Sequence, residues 1–259
     1  MRISIVTISF NQKAYLQAAM ESVLSQQYPD LEYIVVDPGS TDGSRELIQA
    51  YSDRLAHIVF EKDRGPADGL NKGFALATGD VYGFLNSDDL LTPGSLQAVA
   101  EHFRTHPECN VVLGNGHIVD GDGRLKRHIK ARGFTTRRYL RSGTQWLQQS
   151  TFFTSKAFRD AQGFNPEDRA CWDYELFATI AKQGARAGYI DKDLSAFRIH
   201  AGSITGTGSN FAVYRSEQQR IFQQITGRSR HLGDDLLEIA YRIEGRILRL
   251  MDGFNRPSR

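Results

Sequence analysis

Short apolar runs rich in β-branched residues alternate with helix-spaced apolar positions over the first hundred residues. The runs predict strands at residues 3–8, 31–37, 57–61 and 81–85. Between the first two runs, Leu16, Ala19 and Val23 recur at the spacing of one helix face. Thr92 and Pro93 have the pattern of an N-cap and a first-turn proline, which predicts a helix to about residue 103. Strands that alternate with helices in this way are typical of a parallel sheet built from βαβ units.

The second half of the chain has a less regular pattern. Strands are predicted at residues 111–113, 117–119, 149–153, 187–190 and 195–199. The run Asp120-Gly121-Asp122-Gly123 is a strong turn signal and leads into a further strand at 124–129. A helix is predicted from about Trp172 to Lys182, ended by Gly184, and the chain looks helical from Asn210 onward.

The last predicted helix is amphipathic. Its apolar stripe is formed by Leu236, Ile239, Ala240, Ile243, Ile247 and Leu250, and Arg242, Arg246 and Arg249 lie off it. We expect this stripe to dock on the core or on a partner subunit rather than on a membrane. The membrane alternative and a homo-oligomer both stay open at this point.

Composition and charge narrow the class of protein. With 259 residues, 40% apolar and 24% charged, the chain can bury one sizeable core. No signal-peptide core or membrane span is evident, so we expect a cytoplasmic protein. The net charge of +2 gives no argument for nucleic acid as a partner. A basic stretch at 124–141 is interpreted as a solvated face, or else as a surface for anionic partners at the inner face of a membrane. The two cysteines, Cys109 and Cys171, predict neither a disulfide framework nor a zinc site.

Acidic and amide side chains follow three of the predicted strands. They are Asp37 after the second strand, Glu61 and Asp63 after the third, and Asn86, Asp88 and Asp89 after the fourth. Turn chemistry alone could explain each of them. Adjacent carboxylates behind a buried strand repel each other, however, unless a cation or ligand compensates, and a divalent cation that also binds phosphate oxygens would do so. Because the chain has neither a P-loop nor a G-x-G-x-x-G fingerprint, the expected ligand is another kind of nucleotide conjugate.

These residues closely resemble the nucleotide-sugar-binding half of family 2 glycosyltransferases, which have the GT-A fold. The matching segments are Ser4-Ile5-Val6-Thr7 with Phe10-Asn11, residues 35–43, Glu61-Lys62-Asp63-Arg64-Gly65, Asn71-Lys72-Gly73 and Phe84-Leu85-Asn86-Ser87-Asp88-Asp89. The resemblance implies an α/β fold with a mixed, mostly parallel sheet flanked by helices. It implies a GT-A domain at 1–205, divided into a donor half (1–105) and an acceptor half (106–205), and a C-terminal helical extension at 206–259.

The resemblance also implies roles for the donor-side residues. Thr7 and Asp37 would bind the base and ribose, Asn11 would be a further donor-binding residue, and the Glu61 to Gly65 segment, with Asp63, would lie near the base. Asn71, Lys72 and Asn86 would lie near the donor, and Asp88 would bind ribose or sugar and share in a metal site. Asp89 would bind Mn²⁺ or Mg²⁺. The sequence departs from the family pattern where Pro38 replaces a second Asp and where Asn86 replaces the first Asp of the D-x-D motif.

The acceptor half resembles the family in scattered segments. Asp173, in Trp172-Asp173-Tyr174-Glu175-Leu176, matches the catalytic base, with Glu175 in reserve, although both acids would also favour the helix dipole. His200 would bind the metal or the diphosphate, or else be a structural histidine. Gln149 and Trp172 would line the acceptor cleft, although the tryptophan could equally be core.

The function implied by the resemblance is inverting transfer of a sugar from a nucleoside diphosphate sugar, with UDP favoured, to a hydroxyl of a glycan or glycolipid. Polysaccharide or glycolipid assembly would suit such an enzyme. A non-catalytic nucleotide-sugar-binding subunit and a nucleotidyltransferase are the alternatives. The sequence leaves open the base, the sugar, the acceptor and the oligomeric state.

Overall fold

The computed structural model describes residues 1–168, 170–202 and 211–254. The strands are β1 (Ile3–Ile8), β2 (Leu31–Val36), β3 (His57–Val59), β4 (Val81–Asn86), β5 (Leu90–Leu91), β6 (Val111–Asp120), β7 (Leu125–Ile129), β8 (Thr151–Thr154) and β9 (Ala187–Ile199). The helices are α1 (Lys13–Leu24), α2 (Ser44–Ala50), α3 (Pro66–Leu76), α4 (Ser95–Thr105), α5 (Thr136–Tyr139), α6 (Ser155–Asp160), α7 (Trp172–Lys182), α8 (Phe211–Thr226) and α9 (Leu232–Phe254).

One mixed sheet runs through the described part of the chain. Its strand order is β3-β2-β1-β4-β8-β6-β9-β5, with β7 paired to β6. Strands β3, β2, β1 and β4 are parallel, as the βαβ pattern predicts, whereas β8 pairs antiparallel with β4. The predicted donor and acceptor halves therefore share one sheet.

Both faces of the parallel strands are buried. In β2, Ile34 and Val36 point into one apolar cluster and Tyr33 and Val35 into the other. The first cluster is covered by α3, α6, α7 and α8, and the second by α1, α2 and α4. Continuous apolar runs such as that of β2 form strands that are covered by helices on both sides.

Three predicted elements differ from the structure. The helix after β5 begins at Ser95 behind Gly94, which has a φ of 73°, so Thr92 is not its N-cap. The predicted pairs of strands at 111–119 and 187–199 are each one continuous strand, β6 and β9, which pair in parallel. Within β6, position 114 needs a glycine, because a Cβ there would come within 2.2 Å of the Leu194 side chain.

Helix α9 docks on the rest of the molecule by its polar face. Arg141 and Asp234 form a buried ion pair at 2.5 Å, and the Arg138 guanidinium lies 4.5 Å from the ring centre of Tyr241. Arg132 pairs with Asp252 further along the helix. Part of the basic stretch at 124–141 is therefore the docking surface for α9. The apolar stripe is exposed and does not dock on the described core, which was one of the two places predicted for it; the other, a partner subunit, stays a prediction. None of the helices in the described ranges is long and apolar enough to cross a bilayer.

Candidate active site

The carboxyl ends of β1, β2 and β4 meet at one edge of the sheet. β1 lies between β2 and β4, so the chain turns to one side of β1 for β2 and β3 and to the other side for β4. In open α/β sheets, ligands bind outside the strand ends at such a switch point. Asp37 and the segment Asn86 to Asp89 follow directly on β2 and β4, which places them at this edge.

Asp89 is the buried centre of this edge. Its Oδ1 accepts a hydrogen bond from the Arg198 backbone N–H (2.9 Å), and its Oδ2 accepts bonds from Gln149 Nε2 (2.6 Å) and Asn86 Nδ2 (3.2 Å). Burial, with the neighbouring charge of Asp88, raises the pKa of Asp89 to about 8, although the three hydrogen bonds oppose the shift. Asp89 therefore links three parts of the sheet: the end of β4, the segment that precedes β8, and the end of β9.

Asp88 faces the same edge and meets the end of β9. His200 Nε2 lies 3.1 Å from Asp88 Oδ2, and both side chains keep a small exposed fraction, 10% for His200 and 14% for Asp88. Arg198 Nε donates to the backbone carbonyl of Asp88 at 3.0 Å. The ring of Tyr15, from α1, lies 4.5 Å from that of His200. Asp88 and His200 therefore form an acid and imidazole pair that a ligand can reach.

The pair of Asp88 and His200 suits a divalent cation better than Asp89 does. Asp89 is fully buried and three donors already occupy its carboxylate, so its predicted contact with the metal stays a prediction that this geometry does not favour. No cluster of three or more His, Cys, Asp or Glu side chains that could hold a metal occurs within the described ranges. A cation on Asp88 and His200 would therefore need further oxygen ligands from a diphosphate.

Two residues that are predicted to bind the sugar donor, Asp37 and Asn11, hold the loops after β1 and β2 by hydrogen bonds. Asp37 accepts hydrogen bonds from the Gly39 and Ser40 backbone N–H groups at 3.0 and 2.8 Å, and from the Ser40 hydroxyl at 2.6 Å. Asn11 Oδ1 accepts from the Thr41 backbone N–H at 2.9 Å, so it joins the loop after β1 to the loop after β2. These residues fix the shape of the two loops by bonding to their backbone.

Thr7 lies inside the sheet rather than at its edge. Its side chain is fully buried, and Tyr33 Oη donates a hydrogen bond to Thr7 Oγ1 at 3.0 Å. In the described structure, the Thr7 hydroxyl lies too deep in the sheet to contact a sugar nucleotide directly.

The residues predicted near the base lie on the loop before α3 and on α3 itself. Asp63 Oδ1 accepts from the Gly65 N–H at 3.0 Å, and burial raises the pKa of Asp63. Lys72 Nζ lies 3.7 Å from the exposed carboxylate of Glu61. Asn71 faces the other way: its amide exchanges two hydrogen bonds with the backbone of Phe164, which links α3 to the acceptor half.

Asp173 lies in the first turn of α7 with a carboxylate that is only lightly restrained. Its Oδ1 accepts a hydrogen bond from the Tyr174 backbone N–H at 2.7 Å, and the backbone N–H of Asp173 itself also donates to the carboxylate. Burial raises the pKa of Asp173 to about 6, and the charge of Asp168 adds to the shift. Such a group is mostly ionised at pH 7 and can accept a proton.

Glu175, the reserve base, is engaged elsewhere. Arg220 of α8 pairs with its Oε2 at 2.7 Å, and Asn165 Nδ2 donates to the same oxygen at 3.0 Å. Burial raises the pKa of Glu175, but the hydrogen bonds from Arg220 and Asn165 outweigh it, so the pKa is lowered. This glutamate anchors α7 to α8, a position that does not favour its predicted role as the reserve base.

Gln149 and Trp172 also have structural positions rather than places in an open acceptor cleft. Gln149 is buried and donates to Asp89, as described above. Trp172 is buried, with its ring 5.5 Å from Phe84 of β4 and 5.4 Å from Phe164. The core interpretation of Trp172 is therefore correct, and the tryptophan connects the start of α7 to the strand that carries Asp88.

Comparison with known proteins identifies the chain. The model of the family named glycosyl transferase family 2 matches residues 4–159, which is more than half of the chain. The chain belongs to glycosyl transferase family 2.

Relatives of this family 2 glycosyltransferase include two bacterial proteins with informative names. TuaG of Bacillus subtilis, a glycosyltransferase assigned to teichuronic acid biosynthesis, is 40% identical over 233 residues, which cover 86% of this chain and 91% of TuaG. A GalNAc(5)-diNAcBac-PP-undecaprenol beta-1,3-glucosyltransferase of Campylobacter jejuni is 27% identical over 223 residues, covering 83% of this chain and 70% of that enzyme.

Solved structures confirm the predicted GT-A fold. S. aureus TarS 1-349 in complex with UDP-GlcNAc superposes with a TM-score of 0.72 at 18% identity, covering 92% of this chain and 69% of that one. The mannosyltransferase PcManGT of Pyrobaculum calidifontis, in complex with GDP-Man and Mn²⁺, gives a TM-score of 0.63 at 19% identity, covering 93% and 69%. At these identities the likeness establishes the fold alone.

Arg198 and Tyr15 are two site residues of this glycosyltransferase that the sequence did not single out. Arg198 supports both acids of the edge through its backbone and its guanidinium, and that guanidinium lies 5.1 Å from the Tyr15 ring centre. The position of Arg198 two residues before His200 was the available signal, because alternate residues of a strand face the same side. Nothing in the sequence pattern marks Tyr15, which reaches the site from another element.

Proposed function

We propose that this chain transfers a sugar from a nucleoside diphosphate sugar, with UDP the favoured nucleotide, to a hydroxyl of a glycan or glycolipid. The observation that carries the proposal is the pair of Asp88 and His200, 3.1 Å apart at the switch point of the sheet. Buried Asp89 and Arg198 hold this pair in place. The arrangement suits a metal-bound diphosphate, since an acidic oxygen and an imidazole nitrogen can share one cation with phosphate oxygens.

The proposed cofactor is Mn²⁺ or Mg²⁺, held by Asp88 and His200. Imidazole is a better ligand for Mn²⁺ than for Mg²⁺, which prefers oxygen, so Mn²⁺ is the favoured ion. When bound, the cation would supply positive charge that offsets the charge growing on the departing diphosphate. The Mn²⁺ in the PcManGT complex and the UDP-GlcNAc in the TarS complex support this proposal by analogy.

The proposed acceptor class is supported by the relatives. The C. jejuni relative is named for transfer to a glycan on undecaprenyl diphosphate, and TuaG is assigned to teichuronic acid biosynthesis. Both names point to hydroxyl groups of growing glycans. We therefore place this enzyme in polysaccharide or glycolipid assembly.

Asp173 would act as the general base of a direct displacement. Its carboxylate accepts the proton of the acceptor hydroxyl while that oxygen forms a bond to the anomeric carbon. The bond from the anomeric carbon to the diphosphate oxygen breaks in the same step, and the configuration at that carbon inverts. A carboxyl with a pKa of about 6 is ionised at neutral pH and needs no further activation.

The test is a donor panel of UDP-, GDP- and dTDP-sugars with a lipid-linked or oligosaccharide acceptor, in Mn²⁺ and in EDTA. We expect Mn²⁺-dependent release of one nucleoside diphosphate and a product whose anomeric configuration, measured by NMR coupling constants, is opposite to that of the donor. The matched control is Asp88→Asn, which keeps the size of the side chain but removes its charge.

Two outcomes would contradict the proposal. Retention of configuration would exclude the direct displacement by Asp173. Metal-dependent binding of nucleoside diphosphates without release, across acceptors of both kinds, would favour the non-catalytic binding subunit instead.

A further inference from the structure

The outward face of α9 carries an unusually dense row of exposed apolar side chains. We call this row the α9 stripe; its members are Leu232, Leu236, Ile239, Ile243, Ile247, Leu250 and Met251, and their exposed fractions run from 53% to 74%. Seven of the thirteen exposed large hydrophobic residues in the described part of the chain lie on this one helix. Single exposed apolar residues need no explanation, but a contiguous patch of this kind marks an interaction surface.

The α9 stripe is not used to hold α9 on the molecule. At about 100° per residue, the stripe spans an arc of about 120° around the helix. Asp234, Tyr241 and Asp252 lie on the opposite side, where they meet Arg141, Arg138 and Arg132. The helix is thus fixed by a polar face with its apolar face turned away from the described core.

One flank of the α9 stripe is basic. Arg242, Arg246 and Arg249 lie along it, and only Arg242 has an acidic partner, Glu238, in the ranges that the structure describes. The acid on the same flank, Asp235, is paired with Arg230. This flank therefore presents a net positive row beside the apolar arc, a pattern that fits the headgroup region of a bilayer with anionic lipids.

The spacing within the stripe favours a flat partner. From Leu232 to Leu250 the steps are 4, 3, 4, 4 and 3 residues, a period of 3.6, so the stripe runs straight along the helix. The two successive steps of four, from Ile239 to Ile243 and from Ile243 to Ile247, break the alternation of three and four that a coiled-coil seam keeps. A second copy packed antiparallel about a two-fold axis would also set the two arginine rows side by side, and like charges there repel.

We propose that the α9 stripe lies in the interfacial layer of an anionic lipid bilayer, with Arg242, Arg246 and Arg249 at the lipid phosphates. The apolar side chains enter the boundary between headgroups and acyl chains, and the helix axis lies parallel to the bilayer plane. This surface is separate from the Asp88 and His200 edge and does not depend on the proposed reaction.

One consequence does rest on the proposed function. Arg138, which packs on α9, is followed by Tyr139, whose ring stacks on Tyr174 at 4.8 Å, next to Asp173. These contacts link the surface that holds α9 to the helix that carries the proposed base, and a lipid-borne acceptor would bring its hydroxyl to a protein that already lies on the bilayer.

The test is flotation of the full chain with vesicles of phosphatidylcholine alone and of phosphatidylcholine mixed with phosphatidylglycerol, at low and at physiological salt. We expect binding to the anionic vesicles, weakened by salt, and much less binding to the neutral ones. The double variant Ile243→Glu/Ile247→Glu should lower the partition coefficient by about tenfold or more, because it places two charges where the proposal puts apolar side chains in the bilayer. The variant Arg246→Gln/Arg249→Gln should lower binding to anionic vesicles by roughly fivefold for each arginine and leave binding to neutral vesicles unchanged.

Leu125→Glu is the matched control, because Leu125 has the same exposed fraction as Ile243 and Ile247, 53%, but lies on β7. It should bind vesicles like the wild type, and all variants should keep the wild-type circular dichroism spectrum and unfolding midpoint. Absence of wild-type binding to anionic vesicles, or equal binding by the Ile243→Glu/Ile247→Glu variant, would overturn the proposal. A concentration-dependent dimer in analytical ultracentrifugation that this variant abolishes, without vesicle binding, would assign the α9 stripe to a second copy instead.

Discussion

The two acidic regions of the site are restrained to very different degrees. At the donor edge, the carboxylate of Asp89 accepts three hydrogen bonds and is fully buried, and Asp88 is backed by Arg198 and His200. At the start of α7, the hydrogen bonds that the Asp173 carboxylate accepts within the described residues come from two backbone N–H groups, those of Tyr174 and of Asp173 itself, and from no side chain. The difference matches two kinds of work: a fixed edge can hold a charged ligand, whereas a lightly bonded acid with a raised pKa can exchange a proton.

The start of α7 is held in place by neighbours of Asp173 rather than by the Asp173 carboxylate. Glu175, on the same first turn, is paired with Arg220, and Asp168 accepts from the backbone N–H of Cys171 just before the helix. These contacts fix the helix start without using the Asp173 carboxylate. In the proposed mechanism, the helix would position Asp173 and leave its carboxylate oxygens to the acceptor hydroxyl.

The largest effect is expected from Asp173→Asn. The amide keeps the shape of the side chain but cannot accept the proton, so turnover should fall by about 10²–10⁴-fold. Initial rates of sugar transfer at saturating donor measure this. Wild-type turnover in this variant would mean that Asp173 is not the base.

Asp88→Ala should act on donor binding instead. Loss of a metal-binding carboxylate should weaken metal-dependent binding of the nucleotide by about 10–100-fold. Thermal unfolding with UDP in Mn²⁺ and in EDTA reads this out, since stabilisation by a ligand follows its affinity. An unchanged Mn²⁺-dependent rise in the unfolding midpoint would remove Asp88 from the metal site.

The pH dependence of turnover should follow Asp173. Its pKa is raised to about 6, so the protonated, inactive form dominates below that pH. Turnover should be level near pH 7.5 and fall by about tenfold per pH unit on the acid side of 6. The residual activity of Asp173→Asn should lack this fall; if it persists there, another group is titrating.

The smallest effect on catalysis is expected from Glu175→Gln, which tests the anchor rather than the base. It removes the charge from a buried ion pair with Arg220 and should lower the free energy of unfolding by about 1–3 kcal/mol. Urea unfolding measures this, and turnover should fall far less than in Asp173→Asn. A loss of turnover as large as that of Asp173→Asn, with unchanged stability, would return Glu175 to the role of base.

The parallel half of the fold was predictable because its signals are local. The apolar run at 3–8 became β1 with the same bounds, and the strand ends carried the acids to one edge as the pattern indicated. The two glycines Gly114 and Gly116 fall in the gap between the strands predicted at 111–113 and 117–119. They are instead sites where Leu194 and the Ser195 carbonyl approach the β6 backbone, which is a tertiary contact that no local pattern reveals.

The sequence indicated which residues gather at this edge of the sheet, but not which of them is buried and which stays partly exposed. Asp88, Asp89 and His200 lie together, but the sequence of two adjacent aspartates does not show which of them points into the core. The hydrogen bonds from Gln149 and Arg198 decide it, and both residues lie at least 60 positions away along the chain. Likewise, the spacing of Asp173 and Glu175 cannot show that Arg220 of α8 pairs with the second acid.

The most direct test of the division between a binding edge and a reacting acid is calorimetric titration of UDP, in Mn²⁺, into the wild type, Asp173→Asn and Asp88→Ala. We expect Asp173→Asn to bind UDP with the wild-type Kd although its turnover is lost. Asp88→Ala should lose affinity for UDP by about 10–100-fold. Loss of UDP affinity in Asp173→Asn together with wild-type affinity in Asp88→Ala would contradict this division.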